Sequence, residues 1–145
     1  MSTIITIVPY RPKYKYEVIA LWQTCGLTKP RNNPEKDIER MMNVYPDLFL
    51  VGIIEGKVAA TVMGGYDGHR GWAYYLGVEP AHRRKGLGRR MMETLTGKLL
   101  AKGCPKINIQ VRGDNEEAIG FYRKLGYAVE ERVSLARRLI EDRRE

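Results

Sequence analysis

The sequence contains little cysteine and little histidine, the residue types that build disulfide frameworks and many metal sites. Its 145 residues include only Cys25, Cys104, His69 and His82 of these types. The two cysteines lie far apart and form no CxxC pair, and only the two histidines could join them in a metal site. We therefore expect neither a disulfide framework nor a bound metal.

The sequence also lacks a long apolar run. A helix that spans a bilayer needs about 20 predominantly apolar residues, and no stretch of the chain approaches that length. Residues 1–9 are apolar in character, but Lys13 and Lys15 follow them instead of preceding them, which argues against a secretory signal. We expect a cytoplasmic protein that does not bind a membrane.

No internal repeat, low-complexity tract or linker divides the chain. At 145 residues it has the usual length of one domain, which buries about 68–70% of the surface of its unfolded chain. Its hydrophobic content of 43% and charged content of 29% are close to globular averages. The sequence therefore predicts a single domain over residues 1–145.

Positive charge is abundant, with a formal net charge of +8 at pH 7. Such a charge attracts anions in general, from a nucleotide cofactor to nucleic acid. The chain has no helix-turn-helix, zinc-finger or RNP pattern, and charge alone gives only nonspecific affinity, so we expect no specific nucleic-acid partner. The clustering is more informative, because residues 81–90 contain no acid and five basic residues: Arg83, Arg84, Lys85, Arg89 and Arg90.

The N-terminal part of the chain predicts a strand and two helices. The β-branched run over residues 3–8 is typical of a strand. Apolar residues at helical spacing predict a first helix over residues 18–25, with Gly26 at its end. Asn33 followed by Pro34 is typical of the start of a second helix.

The middle of the chain predicts three strands. Residues 48–54 and 58–63 flank a short turn and should form a hairpin. Residues 64–71 are rich in glycine and predict a loop, and residues 72–78 alternate as a third strand.

The remaining sequence predicts two further helices and more strands. An apolar stripe over residues 87–99 indicates the longest helix, and residues 106–112 alternate as a strand. Asp114 and Glu117 resemble a capping box at the start of the last helix, and residues 127–140 should supply one or two final strands. The order β-α-α-β-β-β-α-β-α-β places the fold in the α/β to α+β range, as a mixed sheet with helices packed on it.

The strongest chemical signal lies where the strand ending at Val78 turns into the long helix. Gly86 and Gly88 have no side chains to block an approaching anion, and the backbone N–H groups at a helix start point toward it. The turn matches neither a Walker A loop nor a GxGxxG fingerprint. Both a mononucleotide-binding and a dinucleotide-binding interpretation are therefore weakened. An isolated GxG beside a helix is also common as a plain flexible turn, so this pattern alone leaves both interpretations open.

Two motifs in this order resemble the GNAT acetyltransferase family. The first is Arg83-x-x-Gly86-x-Gly88 after a Val-x-Pro strand end, and it is similar to that family's coenzyme A pyrophosphate motif. The second is similar to the family segment Asn-x-x-Ala-x-x-Phe-Tyr-x-Lys-x-Gly-Phe/Tyr, matched here by Asn115, Ala118, Phe121, Tyr122, Lys124, Gly126 and Tyr127. The runs at 61–71, 74–78 and 103–107 look like the bacterial YpeA branch of the family.

The resemblance implies the fold and the cofactor site. It implies a mixed, mostly antiparallel sheet with about four helices, splayed between its fourth and fifth strands so that the pantetheine arm of acetyl-coenzyme A lies in the gap. Asn115 would bond that arm, or else serve only as a helix cap. The implied backbone and basic contacts are Leu76, Gly77, Val78, Arg84, Lys85, Gly86, Leu87, Gly88 and Arg89.

Tyr122 is the catalytic residue that the resemblance implies. When an amine attacks the thioester, the sulfur leaves as a thiolate whose conjugate acid has a pKa near 8.5. A tyrosine hydroxyl is neutral at pH 7 and can act as the general acid toward that sulfur. The alternative is that Tyr122 only packs beside Ala118 and Leu125.

The general base is where the chain departs from better-known relatives, which can carry a glutamate five residues before the asparagine. That position is Gln110 here, and an amide cannot take a proton at neutral pH. We expect Gln110 to position water, with Tyr74 or Tyr75 nearby. A carboxylate such as Glu79 or Asp67 is the alternative base.

The resulting hypothesis is an acetyl-coenzyme A-dependent N-acetyltransferase acting on a primary amine by direct attack. The amine could belong to a small molecule, a peptide N-terminus or a lysine. The family resemblance places acceptor-facing elements in the first two helices, residues 28–32 and the last strands. The alternative is a catalytically inactive acyl-coenzyme A-binding module, and the sequence leaves a homodimer open.

Overall fold

The fold is built around one five-stranded sheet, seen in a computed structural model that describes residues 4–142. Strands β1 to β4 pair antiparallel, and β5 pairs parallel with β4. The predicted mixed, mostly antiparallel sheet is therefore confirmed. The strands lie in chain order: β1 Thr6–Pro9, β2 Phe49–Ile54, β3 Lys57–Tyr66, β4 Gly71–Val78 and β5 Ile107–Asn108.

Four α-helices accompany the sheet within residues 4–142, as expected. Helices α1 (Lys15–Thr24) and α2 (Pro34–Val44) lie between β1 and β2 in the chain. Helix α3 (Leu87–Ala101) connects β4 to β5, and α4 (Glu116–Lys124) follows β5. Short 3₁₀ turns precede α1, β2 and α3.

The helices cover both faces of the sheet, because neighbouring strand residues enter two separate cores. Leu50 belongs to a cluster with Leu95 of α3, whereas Val51 belongs to a cluster with Trp22 of α1. Successive strand side chains point to opposite faces, so α3 and α1 lie on opposite sides of the sheet. All four of these side chains are buried.

Helix ends follow the predicted caps in α2 but not in α4. Asn33 caps α2, accepting a hydrogen bond from the Lys36 backbone N–H at 3.2 Å. The capping box predicted at Asp114 is wrong, because the cap of α4 is the next residue. Asn115 Oδ1 accepts from the Ala118 backbone N–H at 3.1 Å.

Three strand predictions differ from the structure. The first strand was predicted over residues 3–8 and runs over Thr6–Pro9; residue 3 lies outside the described residues. The strand predicted over residues 106–112 is only Ile107–Asn108, because its pairing with β4 ends at Trp72. No strand forms in residues 127–140; the Tyr127 N–H bonds the Tyr122 carbonyl of α4 at 3.0 Å, and side chains such as Glu130 and Ser134 make further hydrogen bonds to Asn108 and Gln110.

The glycine-rich loop predicted over residues 64–71 is shorter than expected. Gly64, Gly65 and Tyr66 extend β3 and pair with the start of β4. The connection is reduced to a turn in which Asp67 Oδ1 accepts hydrogen bonds from the backbone N–H groups of His69 and Arg70, both at 2.8 Å.

The sheet opens between β4 and β5, as the family resemblance implied. The two strands pair only at Gly71 with Ile107 and Trp72 with Asn108. Beyond Trp72, β4 continues for six residues to Val78, and no strand within residues 4–142 pairs with it on that side. The β3–β4 ladder also shifts register on this stretch, where Tyr75 has a positive φ of 54°. This irregularity is a β-bulge, and bulges bend a strand.

Candidate active site

The backbone groups of β4 point alternately toward β3 and toward the opening between β4 and β5. The Glu79 N–H bonds the Ala59 carbonyl of β3 at 2.8 Å. Because peptide groups alternate along a strand, Gly77 also faces β3, and the groups of Leu76 and Val78 face the opening. The sequence interpretation treated these three residues alike, but only Leu76 and Val78 have the direction that an added chain in the opening needs.

The backbone carbonyl of Val78 is already hydrogen-bonded within the protein. It accepts hydrogen bonds from Arg83 Nε at 3.2 Å and from the Cys25 thiol at 3.4 Å. Arg83 therefore fixes the turn to the end of β4. This leaves the Val78 N–H and the Leu76 peptide groups as the part of the edge that can pair with a ligand.

The turn after β4 forms a concave backbone surface. Arg84 has φ of 64° and Gly86 has φ of 78°, and Lys85 between them has a negative φ. Alternating signs of φ direct successive N–H groups to one side, which is the geometry of an anion-binding nest. Gly86 is the N-cap of α3, so the unpaired N–H groups of that helix start add to the same surface.

Side chains around this turn leave the concave surface accessible. Arg84, Lys85, Gly86 and Arg89 are exposed, whereas Leu87 is buried under the turn and anchors it to the core. Arg89 lies 3.7 Å from Glu93 one turn along α3. No ion pair occupies Arg84 or Lys85 among residues 4–142, so their charges remain available to a phosphate.

Gly88 has a structural role that sequence reasoning missed. A Cβ at Gly88 would lie 3.0 Å from Phe121 Cζ of α4. A side chain there would meet the Phe121 ring, so Gly88 permits α3 and α4 to approach. Gly88 belongs to the first of the two family motifs and Phe121 belongs to the second. The contact between them therefore joins the two motifs in the fold.

Tyr122 is partly buried and keeps its proton. Its ring packs edge-on between Phe121 and Tyr127, with centroid distances of 5.0 and 5.6 Å. Tyr122 packs against the same core cluster as Leu76 and Val78 of the open edge do. Burial and the neighbouring Tyr127 raise the pKa of Tyr122 to about 12, so the hydroxyl is neutral throughout the physiological range.

Asn115 and Gln110 are both engaged, in different ways. Asn115 caps α4 with its side-chain oxygen, which leaves the amide N–H₂ able to donate. Gln110 is exposed and lies outside any strand, and its Nε2 donates to Ser134 Oγ at 2.6 Å. The residue proposed to position water is therefore held by the C-terminal segment.

The two carboxylates considered as bases lie in different places. Asp67 holds the β3–β4 turn, and the backbone N–H groups of Arg70 and His69 lower its pKa. That turn is at the far end of β4 from the bulge. Glu79 directly follows Val78 and is half-buried, so of the two it lies nearer the open edge.

Sequence reasoning did not identify a further carboxylate near the bulge. Tyr75 Oη donates to Asp37 Oδ2 of α2 at 2.6 Å, and the Tyr75 ring stacks on Trp22 at 3.9 Å. Thr61 Oγ1 bonds both the Trp22 indole N–H and the Tyr75 carbonyl, each at 2.9 Å. This network supports the positive φ of Tyr75. In the sequence, the only signal for this network was the aromatic content of β4.

Two further observations on the described residues concern membrane-spanning helices and metal sites. None of the helices within residues 4–142 is long and apolar enough to cross a membrane. The same part of the chain contains no cluster of three or more histidine, cysteine, aspartate or glutamate side chains arranged to hold a metal ion.

Comparison with known proteins gives close sequence relatives. The family model described as Acetyltransferase (GNAT) family matches residues 16–127. Acetyltransferase SG1711 of Sodalis glossinidius is 54% identical over 127 residues, covering 87% of this chain and 89% of that protein. Acetyltransferase ECA0875 of Pectobacterium atrosepticum is 53% identical over 126 residues, with the same coverage.

Solved structures share the fold at lower identity. Ard1 from Thermoplasma volcanium superposes with a TM-score of 0.79 at 27% identity, covering 87% of this chain and 84% of that one. AAC(6')-Iy in complex with the bisubstrate analog CoA-S-monomethyl-acetylneamine gives a TM-score of 0.77 at 15% identity, covering 95% and 100%. The resemblance to the YpeA branch stays a prediction. The sequence match and the high identity to these relatives show that the chain belongs to the GNAT family of acetyltransferases.

Proposed function

We propose that this acetyltransferase moves the acetyl group of acetyl-coenzyme A onto a primary amine by direct attack within a ternary complex. The observation that carries the proposal is the succession of an open β4 edge and an anion-binding turn. A pantetheine arm can pair with Leu76 and Val78, and the nest at Arg84 to Gly86 follows directly, where the pyrophosphate would lie.

The position and protonation of Tyr122 support transfer rather than binding alone. The amine nitrogen bonds the carbonyl carbon, the carbon–sulfur bond breaks, and sulfur leaves with the electron pair. A thiol has a pKa of about 8.5, whereas burial raises the pKa of Tyr122 to about 12. Tyr122 therefore donates a hydrogen bond to the departing sulfur, and any proton it passes on is replaced by the proton that the nitrogen of the tetrahedral intermediate loses.

Deprotonation of the amine is the second chemical requirement. An acceptor with the pKa of lysine, about 10.4, is only about one part in 10³ neutral at pH 7. We propose that water carries this proton away, with Gln110 ordering the water once its side chain leaves Ser134. Asn115 would use its amide N–H₂ on the pantetheine arm.

The acceptor is proposed to approach from the face of the sheet covered by α1 and α2. Tyr75 and its partner Asp37 stand on that face at the bulge. AAC(6')-Iy binds an analog that joins coenzyme A to an aminoglycoside-like amine. The Escherichia coli ribosomal-protein-S18-alanine N-acetyltransferase, with a TM-score of 0.71 at 21% identity and coverage of 85% and 77%, is named for a peptide amine. Both precedents support an amine acceptor.

A screen of amine classes tests the proposal. Purified protein, acetyl-coenzyme A and panels of small polyamines, peptides with free N-termini and lysine peptides would be assayed for thiol release. We expect release above the amine-free background with at least one class, and a mass increase of one acetyl group on that acceptor. Tight binding of acetyl-coenzyme A without release in any panel would favour an inactive acyl-coenzyme A-binding module.

A further inference from the structure

The carboxylate of Asp37 is held at the open stretch of β4 by a network of hydrogen bonds. Its Oδ2 accepts from the Tyr75 hydroxyl at 2.6 Å. Tyr75 is fixed in turn, because its ring stacks on Trp22 at 3.9 Å and its carbonyl accepts from the Thr61 hydroxyl at 2.9 Å. Trp22 and Thr61 are fully buried. The position of Asp37 is therefore determined by contacts that lead into the core.

Asp37 has a second carboxylate oxygen that accepts no hydrogen bond within residues 4–142. This atom, Oδ1, lies 3.7 Å from the Arg40 guanidinium, which is longer than a hydrogen bond. Arg40 directs its two terminal nitrogens to Asp142 instead. The Asp37 side chain is 27% exposed, so a ligand can reach it. An ionised carboxylate has about four acceptor positions, and Asp37 can therefore accept from a donor on a ligand.

The same face of β4 carries a second aromatic ring that is exposed. Tyr74 lies opposite Met63 of β3, and Met63 belongs to the cluster that contains Trp22. Directly opposed residues share a face of the sheet, so Tyr74 and Tyr75 both lie on the side of α1 and α2. Tyr74 is 45% exposed. Its ring can make apolar contacts and attract a cation.

The place of Asp37 indicates which nitrogen of an acceptor it can bind. The pantetheine arm would lie along the β4 backbone, and the length of the Tyr75 side chain separates that backbone from the carboxylate. An attacking amine must also be neutral, whereas a neighbouring carboxylate favours the charged form of an amine. Asp37 is therefore suited to a nitrogen that stays protonated at some distance from the reacting one.

The charge of the whole chain makes a local carboxylate important for such an acceptor. With a net charge of +8, the protein repels cations at long range. The affinity for an acceptor with two ammonium groups then depends on short-range contacts, and a charge-assisted hydrogen bond to a carboxylate is among the strongest of these.

We propose that Asp37, oriented by Tyr75, determines acceptor specificity by binding a second, cationic nitrogen of the substrate. The acceptor class is a primary amine joined by a short apolar spacer to a protonated amine, with the spacer on the Tyr74 ring. This inference rests on the proposed acetyl transfer to an amine and adds the substrate class. Asp37 contributes to binding and takes no part in the chemical step.

Binding measured without turnover tests the proposal. Protein saturated with coenzyme A has no acetyl group to transfer, so calorimetry can compare putrescine with butylamine and cadaverine with pentylamine. A hydrogen bond between charged groups corresponds to about tenfold in affinity, so at least one diamine should bind about tenfold more tightly than its matched monoamine. Asp37→Asn can still accept from Tyr75 but lacks the charge, and it should remove this preference.

Two further variants separate the charge of Asp37 from its surroundings. Glu39→Gln removes an exposed carboxylate of the same helix, and residues two apart do not share a helix face, so the diamine preference should remain. Tyr75→Phe keeps the ring on Trp22 but removes the hydroxyl that orients Asp37, and it should reduce the preference without abolishing it. Coenzyme A binding by each variant reports that it is folded.

Kinetics with acetyl-coenzyme A give a second readout. Asp37→Asn should raise the KM for a diamine about tenfold with a smaller change in kcat, as expected for a contact made equally in the ground state and the transition state. A merely structural role would instead lower kcat for monoamines and diamines alike.

A pair of peptides identifies the source of the second nitrogen. One begins with lysine and the other with norleucine, which has a similar apolar side chain without the charge. Tighter binding of the lysine peptide that is lost in Asp37→Asn supports the site with a peptide acceptor, whereas a preference confined to the free diamines supports it with a small-molecule acceptor.

Several results would overturn the proposal. These are equal binding within every matched pair, a preference that survives Asp37→Asn, or one that Glu39→Gln abolishes as well. Diamine binding without acetyl transfer would refute the proposed function and leave the site standing. Acetyl transfer to amines without any preference for a second charge would refute the site and leave the proposed function standing.

Discussion

At the scale of single residues, a substitution at Tyr122 should affect turnover without affecting cofactor binding. Tyr122→Phe keeps the ring between Phe121 and Tyr127 but removes the hydroxyl. Turnover should fall about tenfold or more if departure of the sulfur limits the rate, while the affinity for acetyl-coenzyme A is unchanged. Steady-state kinetics and calorimetry would measure the two quantities.

The pH profile of the unmodified enzyme checks the same assignment. A general acid works while it is protonated, and the pKa of Tyr122 is raised to about 12. Tyr122 should therefore cause no alkaline loss of rate below about pH 11. Gln110→Ala should lower turnover less than Tyr122→Phe does. Full activity in Tyr122→Phe together with an inactive but folded Gln110→Ala would exclude the general-acid role.

Gly88 is predicted to act through packing. Its missing side chain leaves room for Phe121, whose Cζ lies 3.0 Å from where a Cβ would be. Gly88→Val should destabilise the fold by about 1–3 kcal/mol through overpacking, and a smaller cost is expected in a Phe121→Leu background. Urea unfolding of the four proteins gives the coupling energy. Equal costs in both backgrounds would show that the Phe121 contact is not the cause.

At the scale of elements, the end of the described chain is tied to α2 by charge. Asp142 is only 2% exposed, and both of its oxygens accept from Arg40, with one distance of 2.9 Å. Lys36 lies 4.0 Å away. The hydrogen bonds from Arg40 hold the pKa of Asp142 below its usual value, so the contact is present at neutral pH.

Releasing this contact should loosen the last residues selectively. A carboxylate with a lowered pKa stabilises the fold above its unfolded pKa of about 3.9, and that contribution is lost as pH falls through the folded value. Amide exchange in residues 138–142 should therefore speed up in acid, and at pH 7 in Asp142→Asn. Asp114→Asn, at an exposed pair with Arg112, is the control. Unchanged exchange in Asp142→Asn would contradict the assignment.

Elements with strong local signals could be predicted, and those that depend on partners could not. The apolar stripe of α3 and the Asn33-Pro34 start of α2 are local properties, and both helices formed where expected. The strand predicted over residues 106–112 has the right alternation, but it pairs with β4 at only two positions. Residues 128–140 likewise alternate in part like a strand, yet no strand within residues 4–142 pairs with them.

The candidate site shows the same division. The turn at Arg83 to Gly88 and the helix start after it could be predicted from the glycine spacing, whereas phosphate binding there stays a prediction. The contact of Gly88 with Phe121 and the hydrogen bond from Tyr75 to Asp37 join residues more than 30 positions apart in the chain. No sequence period connects such residues, so these contacts were visible only in the fold.

At the scale of the whole molecule, the ligand should stabilise the native state. Acetyl-coenzyme A that binds only the folded chain adds about 2.7 kcal/mol at a hundredfold excess over its dissociation constant. For a domain of this size that corresponds to a rise in melting temperature of roughly 5–10 °C. Differential scanning fluorimetry with adenosine as the control ligand measures it. No shift at millimolar acetyl-coenzyme A would contradict both the enzyme and the binding-module interpretations.

The stacking of Trp22 on Tyr75 gives the protein an intrinsic optical reporter. The chain has two tryptophans, and Trp22 is fully buried beside the bulge, whereas Trp72 lies at the parallel end of β4. After Trp72→Phe, all indole emission comes from Trp22, whose dry surroundings should shift it to the blue. Any occupant of the opening that moves the Tyr75 ring alters the stacking, so its arrival can be followed by fluorescence without a label.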